Sequence, residues 1–203
     1  MIGGTLEKKD IYIKESLKLF LKYGIRSVTV GQITQKLNVS SKTLYSIFGD
    51  KLGLVTACFD LYKKESQLEY EQLKGDSENI AEALIKFYLR SVEAFNRINP
   101  NFFNDIASYF PEIWDNDEAF GKHRTQELLA QGIEEEIFFN SIDLEIASRA
   151  LSILLRSMLE DEALFEQGNE RLFSNVLWPY LRGICTQKGL EEFRKYRKSG
   201  RSS

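Results

Sequence analysis

Histidine is nearly absent from this chain: His123 is the only one in 203 residues. A Ser/His/Asp triad, a metal cluster and a proton shuttle would all have to share it. No partner residues stand at the spacing such sites need, so neither an enzyme nor a metal centre is expected. Cysteine is almost as scarce. Cys58 and Cys185 lie far apart without metal-ligand spacing, and each reads as a small buried hydrophobe. No glycine-rich phosphate cradle occurs, and no cofactor is expected. A run of eighteen apolar residues is also missing, as is an apolar segment after Met1, so a cytoplasmic location away from membranes is expected. Three prolines and thirteen glycines leave little room for long unstructured stretches. Neither strand alternation nor an internal repeat interrupts a helical periodicity that runs through most of the chain.

What the chain does have is charge, unevenly placed. Residues 1–64 carry 11 Lys and Arg against 5 Asp and Glu; residues 65–187 carry 10 against 23; residues 188–203 carry 6 against 2. The overall charge of -3 therefore hides a basic N-terminal part and a strongly acidic remainder. A basic part lowers its free energy on DNA by releasing counterions, while the acidic part is repelled by phosphates and must face away. The basic end from Lys188 to Arg201 reads as a frayed, solvated terminus.

Within the basic part, residues 27–54 read SVTVGQITQKLNVSSKTLYSIFGDKLGL. Thr29 is a good N-cap for a short helix with Val30, Ile33 and Leu37 on one face. Asn38 tolerates the left-handed backbone a tight break needs, Val39 plugs the angle, and Ser40 caps the next helix. There Leu44 and Phe48 turn inward, leaving Ser41, Lys42, Thr43, Tyr45 and Ser46 on the outer or N-terminal side. Hydroxyls and helix-end amides suit phosphates, and a few polar side chains on such a helix reach base edges in the major groove. Gly49, Asp50 and Lys51 end this helix and open another. The pattern is a helix-turn-helix.

These residues closely resemble the DNA-binding domain of the tetracycline-repressor (TetR) family of regulators. The resemblance spans residues 12–55, through Leu19, Phe20, Gly24, Thr29, Val30, Ile33, Val39, Ser40, Thr43, Leu44, Tyr45, Phe48, Lys51 and Leu54. Where the family usually has a small alanine, a turn glycine and a small residue, this chain has Thr34, Asn38 and Lys42. The first two changes are sterically mild, and the third changes what is read. The resemblance implies that Thr29, Thr43, Tyr45 and Lys51 hold phosphates while Ser41, Lys42 and Ser46 face the bases. Tyr45 has a second reading, as a half-buried packing residue.

The expected fold is all-α with about nine helices. A DNA-binding domain is expected over residues 1–55, a connecting helix over 50–74, and a larger ligand-binding and dimerisation domain over 56–203. One helix covers residues 12–23, ended by Gly24, and another follows Ile80 to about residue 96. A long helix over 117–138 is expected to break or bend at Gly132. Later helices carry Ile146, Leu151, Leu154, Leu155 and Met158, then Leu172, Val176 and Tyr180, with Pro179 expected to kink the last. Leu151, Leu154, Leu155, Met158, Leu172, Val176 and Tyr180 are candidates for a two-fold interface, since the family dimerises through such a pair. An aromatic region offers Tyr88, Phe95, Phe102, Phe103, Phe110, Trp114 and His123 as a lining for a small apolar or aromatic effector, or simply as a core of large rings. The function these features imply is a sequence-specific, ligand-responsive repressor that binds double-stranded DNA as a homodimer. The alternative is a helical dimeric assembly protein of the same fold, for which Lys42→Ala and Tyr45→Ala would change nothing.

Overall fold

A computed structural model describes the backbone of residues 3–199, with side chains except at positions 3–7, 95, 115–122, 156, 159, 160, 162, 165, 169 and 197–199. The described residues are helical through most of their length: α1 (Gly3–Tyr23), α2 (Val30–Leu37), α3 (Ser41–Phe48), α4 (Lys51–Gly75), α5 (Ile80–Arg97), α6 (Asn101–Tyr109), α7 (Pro111–Glu134), α8 (Leu144–Glu160), the single turns α9 (Glu162–Phe165) and α10 (Asn169–Leu172), α11 (Trp178–Ile184) and α12 (Gln187–Ser199). No described helix is long and apolar enough to cross a membrane.

Two compact units result. One comprises residues 1–69 and 95–117, the other residues 70–94 and 118–203. This division differs from the expected boundary at residue 55. The reason is burial: Cys58 and Phe59 of α4 and Phe102 and Ile106 of α6 share one core with Leu17 and Phe20 of α1, Ile33 of α2 and Leu44 of α3. The first unit is thus a helix-turn-helix that recruits a helix from the middle of the chain.

The second unit is built around Ile80, Leu84 and Tyr88 of α5, Leu128 and Leu129 of α7, Leu151 and Met158 of α8, and Leu177 and Leu181 near the end. Its long helices have two departures from expectation. Helix α7 continues through Gly132 rather than breaking there. Glycine is needed for close approach instead, because a Cβ at this position would run into the Phe138 ring. Beyond α10 the backbone widens into a π-helical stretch, Phe173–Leu177, and Pro179 lies in the first turn of α11. A proline without its N–H is tolerated there, so the expected kink is absorbed by a change of helical type.

The basic end is also more ordered than its charge suggested. It forms α12, whose Phe193 is completely buried, 6.4 Å from Phe138 and 5.5 Å from Trp178, centroid to centroid. Burying one phenylalanine contributes about 1.5–3 kcal/mol, enough to hold a helix whose other face is solvated. Before it, an isolated antiparallel bridge between Phe138 and Cys185 ties the two connecting segments together, with Thr186 N–H donating to the Ile137 carbonyl at 3.0 Å.

Candidate nucleic-acid interface

The turn between α2 and α3 is fixed by local polar bonds. The Thr29 hydroxyl accepts the Gln32 N–H at 3.2 Å, and the Gln32 side chain accepts the Thr29 N–H at 2.8 Å, a complete capping box. Asn38 takes the left-handed conformation at φ 53°, its N–H returned to the carbonyl of Gln35. Ser40 caps α3 by accepting the Thr43 N–H at 3.1 Å. Such caps contribute about 1 kcal/mol each, which is considerable for eight-residue helices that could not form alone.

On this platform α3 buries Leu44 and leaves Ser41, Lys42, Thr43, Tyr45 and Ser46 exposed. Some of the hydroxyls have local partners: Thr43 pairs with Ser40 at 2.9 Å, and Ser46 donates to the Thr43 carbonyl at 2.8 Å. Each hydroxyl oxygen keeps acceptor capacity after donating, and a rotor can be redirected. Lys42 and Tyr45 project from the same short helix, and Tyr45 is 42% exposed. Thr29 is exposed at the start of α2.

Lys51 stands apart from the other six. Its ammonium donates to the carbonyls of Ile25 and Val28 at 2.8 and 2.7 Å, closing the loop between α1 and α2. Burial lowers its pKa, and the Asp105 carboxylate opposes that shift. Two of its three N–H bonds therefore serve the fold.

Sequence reasoning missed a clamp on the same loop. Asp105 of α6, 8% exposed, accepts the Arg26 N–H at 2.8 Å. The Arg26 guanidinium lies over the Tyr109 ring at 4.5 Å and donates to its hydroxyl. Asn99 donates its N–H to the Leu21 carbonyl at 2.7 Å. Gly24, at φ 80°, is needed because a Cβ there would sit 2.9 Å from Cβ of Asn101. Partners about 80 residues apart leave no local pattern to find; an aspartate on the apolar side of a short helix was the available signal.

The remaining candidates are divided between the units. Phe102 and Phe103 meet Tyr62 at 5.7 and 5.8 Å, and Phe110 and Trp114 pack on the same core. Tyr88 is in the second unit, 5.3 Å from Phe173. His123 is 70% exposed, 3.4 Å from Glu127, and the side chain of Phe95 lies outside the described residues. The described candidates therefore fall in both units. Of the interface candidates, Leu151, Met158 and Leu172 are buried within the second unit. Leu154, Leu155, Val176 and Tyr180 are half-buried, and the Tyr180 hydroxyl donates to the Ala147 carbonyl at 2.8 Å.

Residues 13–58 match the family model described as bacterial regulatory proteins, tetR family. Among curated proteins none matches. Solved structures are similar over most of the chain. The reduced form of NemR from E. coli is 12% identical, with a TM-score of 0.74 over 89% of this chain and 97% of that one. SCO4454, a TetR-family transcriptional regulator from Streptomyces coelicolor, is 21% identical, with a TM-score of 0.68 over 88% and 96%. The ketosteroid transcriptional regulator KstR2 of Mycobacterium tuberculosis is 20% identical, with a TM-score of 0.57 over 88% and 95%. At such identities the likeness establishes the fold alone, and the family match concerns residues 13–58. Residues 13–58, with their capped turn and exposed α3 face, thus match the tetR family of bacterial regulatory proteins, and the chain as a whole shares the all-α fold of solved regulators of that family.

Proposed function

We propose that the protein is a repressor that reads a palindromic operator as a homodimer and releases it when a small molecule binds the second unit. The observation that carries this reading is the exposed face of α3, where Ser41, Lys42 and Ser46 would meet base edges and Thr29, Thr43 and Tyr45 the phosphates. One eight-residue helix makes few contacts. Two copies on half-sites about 34–36 Å apart double them.

A second copy also accounts for an unpartnered face of α8. Ile146 and Ile153, seven residues apart and 68% and 56% exposed, stand on the same side of the helix. With the half-buried Leu154, Val176 and Tyr180 they form the proposed interface, in place of Leu151, Met158 and Leu172, which the chain itself covers. An effector releases DNA only if it binds the off-DNA arrangement better, and a hundredfold loss of operator affinity needs about 2.7 kcal/mol of that preference.

Selection of bound sequences from a random duplex pool tests the reading. Enrichment of an inverted repeat with half-site centres about one helical turn apart is expected. No enrichment, with weak and sequence-blind binding, would favour the assembly-protein alternative.

A further inference from the structure

We infer that Lys9 is a further DNA contact, a cation near the start of α1 that the Phe48 ring holds in place for a backbone phosphate. This rests on the proposed reading of DNA by α3. The inward stripe of α1 runs through Phe20, Leu17 and Ile13, which pack in the first core at helical spacing. Four residues before Ile13, the next position on that stripe is Lys9, a cation where packing would call for another apolar side chain. Its ammonium lies 5.8 Å from the centroid of the Phe48 ring. Lys9 is exposed and Phe48 half-buried, so the ring supports the cation from the protein side without taking it out of water. The position lies outside residues 13–58, the stretch that matches the family model.

The place of this pair on α3 selects its partner. Ser41, Tyr45 and Phe48 stand at i, i+4 and i+7, one row along the helix. Tyr45, 42% exposed, is the member of that row proposed to meet a phosphate. Lys9 therefore adds a positive charge about one helical turn beyond Tyr45, at the C-terminal end of α3. No carboxylate claims that charge. The ion pairs of α1 lie further along it, Glu15 binding Lys18 at 2.6 Å and Lys36 at 4.0 Å, and among the described residues Lys9 has no ion-pair partner. Asp10 follows it directly, but adjacent residues of a helix do not face each other. A nucleic-acid backbone, with charges repeated along the edge of the groove, can meet both Tyr45 and Lys9. Such a contact adds affinity and register, and leaves base choice to the residues of α3.

Fluorescence anisotropy of the full chain, with the selected duplex and a scrambled one over a range of salt concentrations, tests the contact. Lys9→Gln should weaken binding to both duplexes alike, by about three- to tenfold at low salt. It should also flatten the plot of log affinity against log salt by about 0.9 for each copy bound, a readout that a purely packing role would not move. Lys9→Arg should restore both. Lys14→Gln, an equal loss of charge at an exposed position of the same helix, should leave the slope as in the wild type. In a Phe48→Leu background the loss caused by Lys9→Gln should shrink, and an undiminished loss there would overturn the role given to the ring. A slope unchanged by Lys9→Gln, or flattened as much by Lys14→Gln, would overturn the contact while selective wild-type binding upheld the α3 reading. Sequence-blind binding that Lys9→Gln still weakens, with a flatter slope, would do the reverse. No binding to any duplex would end both.

Discussion

The two units place their polar groups differently: around one loop and two helix ends in the first, between long helices in the second. In the first, Asp105 and Lys51 are committed to backbone groups of one loop, and Thr29 and Ser40 to helix ends. These bonds leave the loop and α3 one geometry, which the proposed base reading requires. In the second, long helices enclose tyrosines, and the Tyr70 phenol is left unpaired beneath a guanidinium. Neither unit pairs every buried polar atom, since the Ser16 hydroxyl of the first is also without a hydrogen-bond partner; what distinguishes the first is that its long-range polar bonds converge on the loop before α2.

The contrast breaks most readily at Asp105. Asp105→Ala leaves the Arg26 N–H without its acceptor and the Lys51 ammonium without its nearby carboxylate, and should lower stability by about 2–4 kcal/mol in chemical denaturation. Asp105→Asn, which keeps an acceptor, should recover part of the loss. Gly24→Ala adds a strained φ and a clash with Asn101, at a cost of about 1–3 kcal/mol. Both changes are expected to weaken DNA binding beyond their effect on folding, because the loop they disturb positions the helix-turn-helix.

Smaller effects come from buried acids in both units. Burial raises the pKa of Tyr70 and Tyr88 from 10.0, and of Cys58 and Cys185 from 9.0, each to about 12. The folded state holds these protons more tightly than the unfolded chain. The resulting stability is present in full below pH 9, and is lost as pH rises towards 12. The urea midpoint should therefore fall between pH 9 and 11, and Tyr70→Phe should make that fall shallower. Both thiols should also resist alkylation at neutral pH until the protein unfolds. Rapid labelling of the native protein would contradict the burial described here.

The helix-turn-helix was legible in the sequence because its determinants are neighbours. Thr29 with Gln32, Asn38, and Ser40 with Thr43 lie within four residues of what they hold, and family resemblance fell on the same stretch. The clamp from α6 was not legible, since Arg26 and Asp105 are joined only by the fold. Gly132 misled for a related reason: a glycine in a helical pattern signals a bend locally, whereas here it makes room for Phe138. At the basic end, Leu190, Phe193 and Tyr196 stood at helical spacing, but the surrounding charge suggested a solvated tail. Interface candidates on α8 were an apolar stripe in which inward and outward members could not be separated; exposure distinguishes Ile146 and Ile153 from Leu151 and Met158.

The central claim is that the outward face of α3 reads DNA, and fluorescence anisotropy of the selected duplex tests it most directly. Wild-type protein, Lys42→Ala and Tyr45→Ala would be titrated at several salt concentrations, against that duplex and a scrambled one. The account expects a steep salt dependence for the wild type. Lys42→Ala should lose about tenfold or more in affinity for the selected duplex and little for the scrambled one, while Tyr45→Ala should weaken both alike. Equal affinity of all three proteins for both duplexes would contradict it.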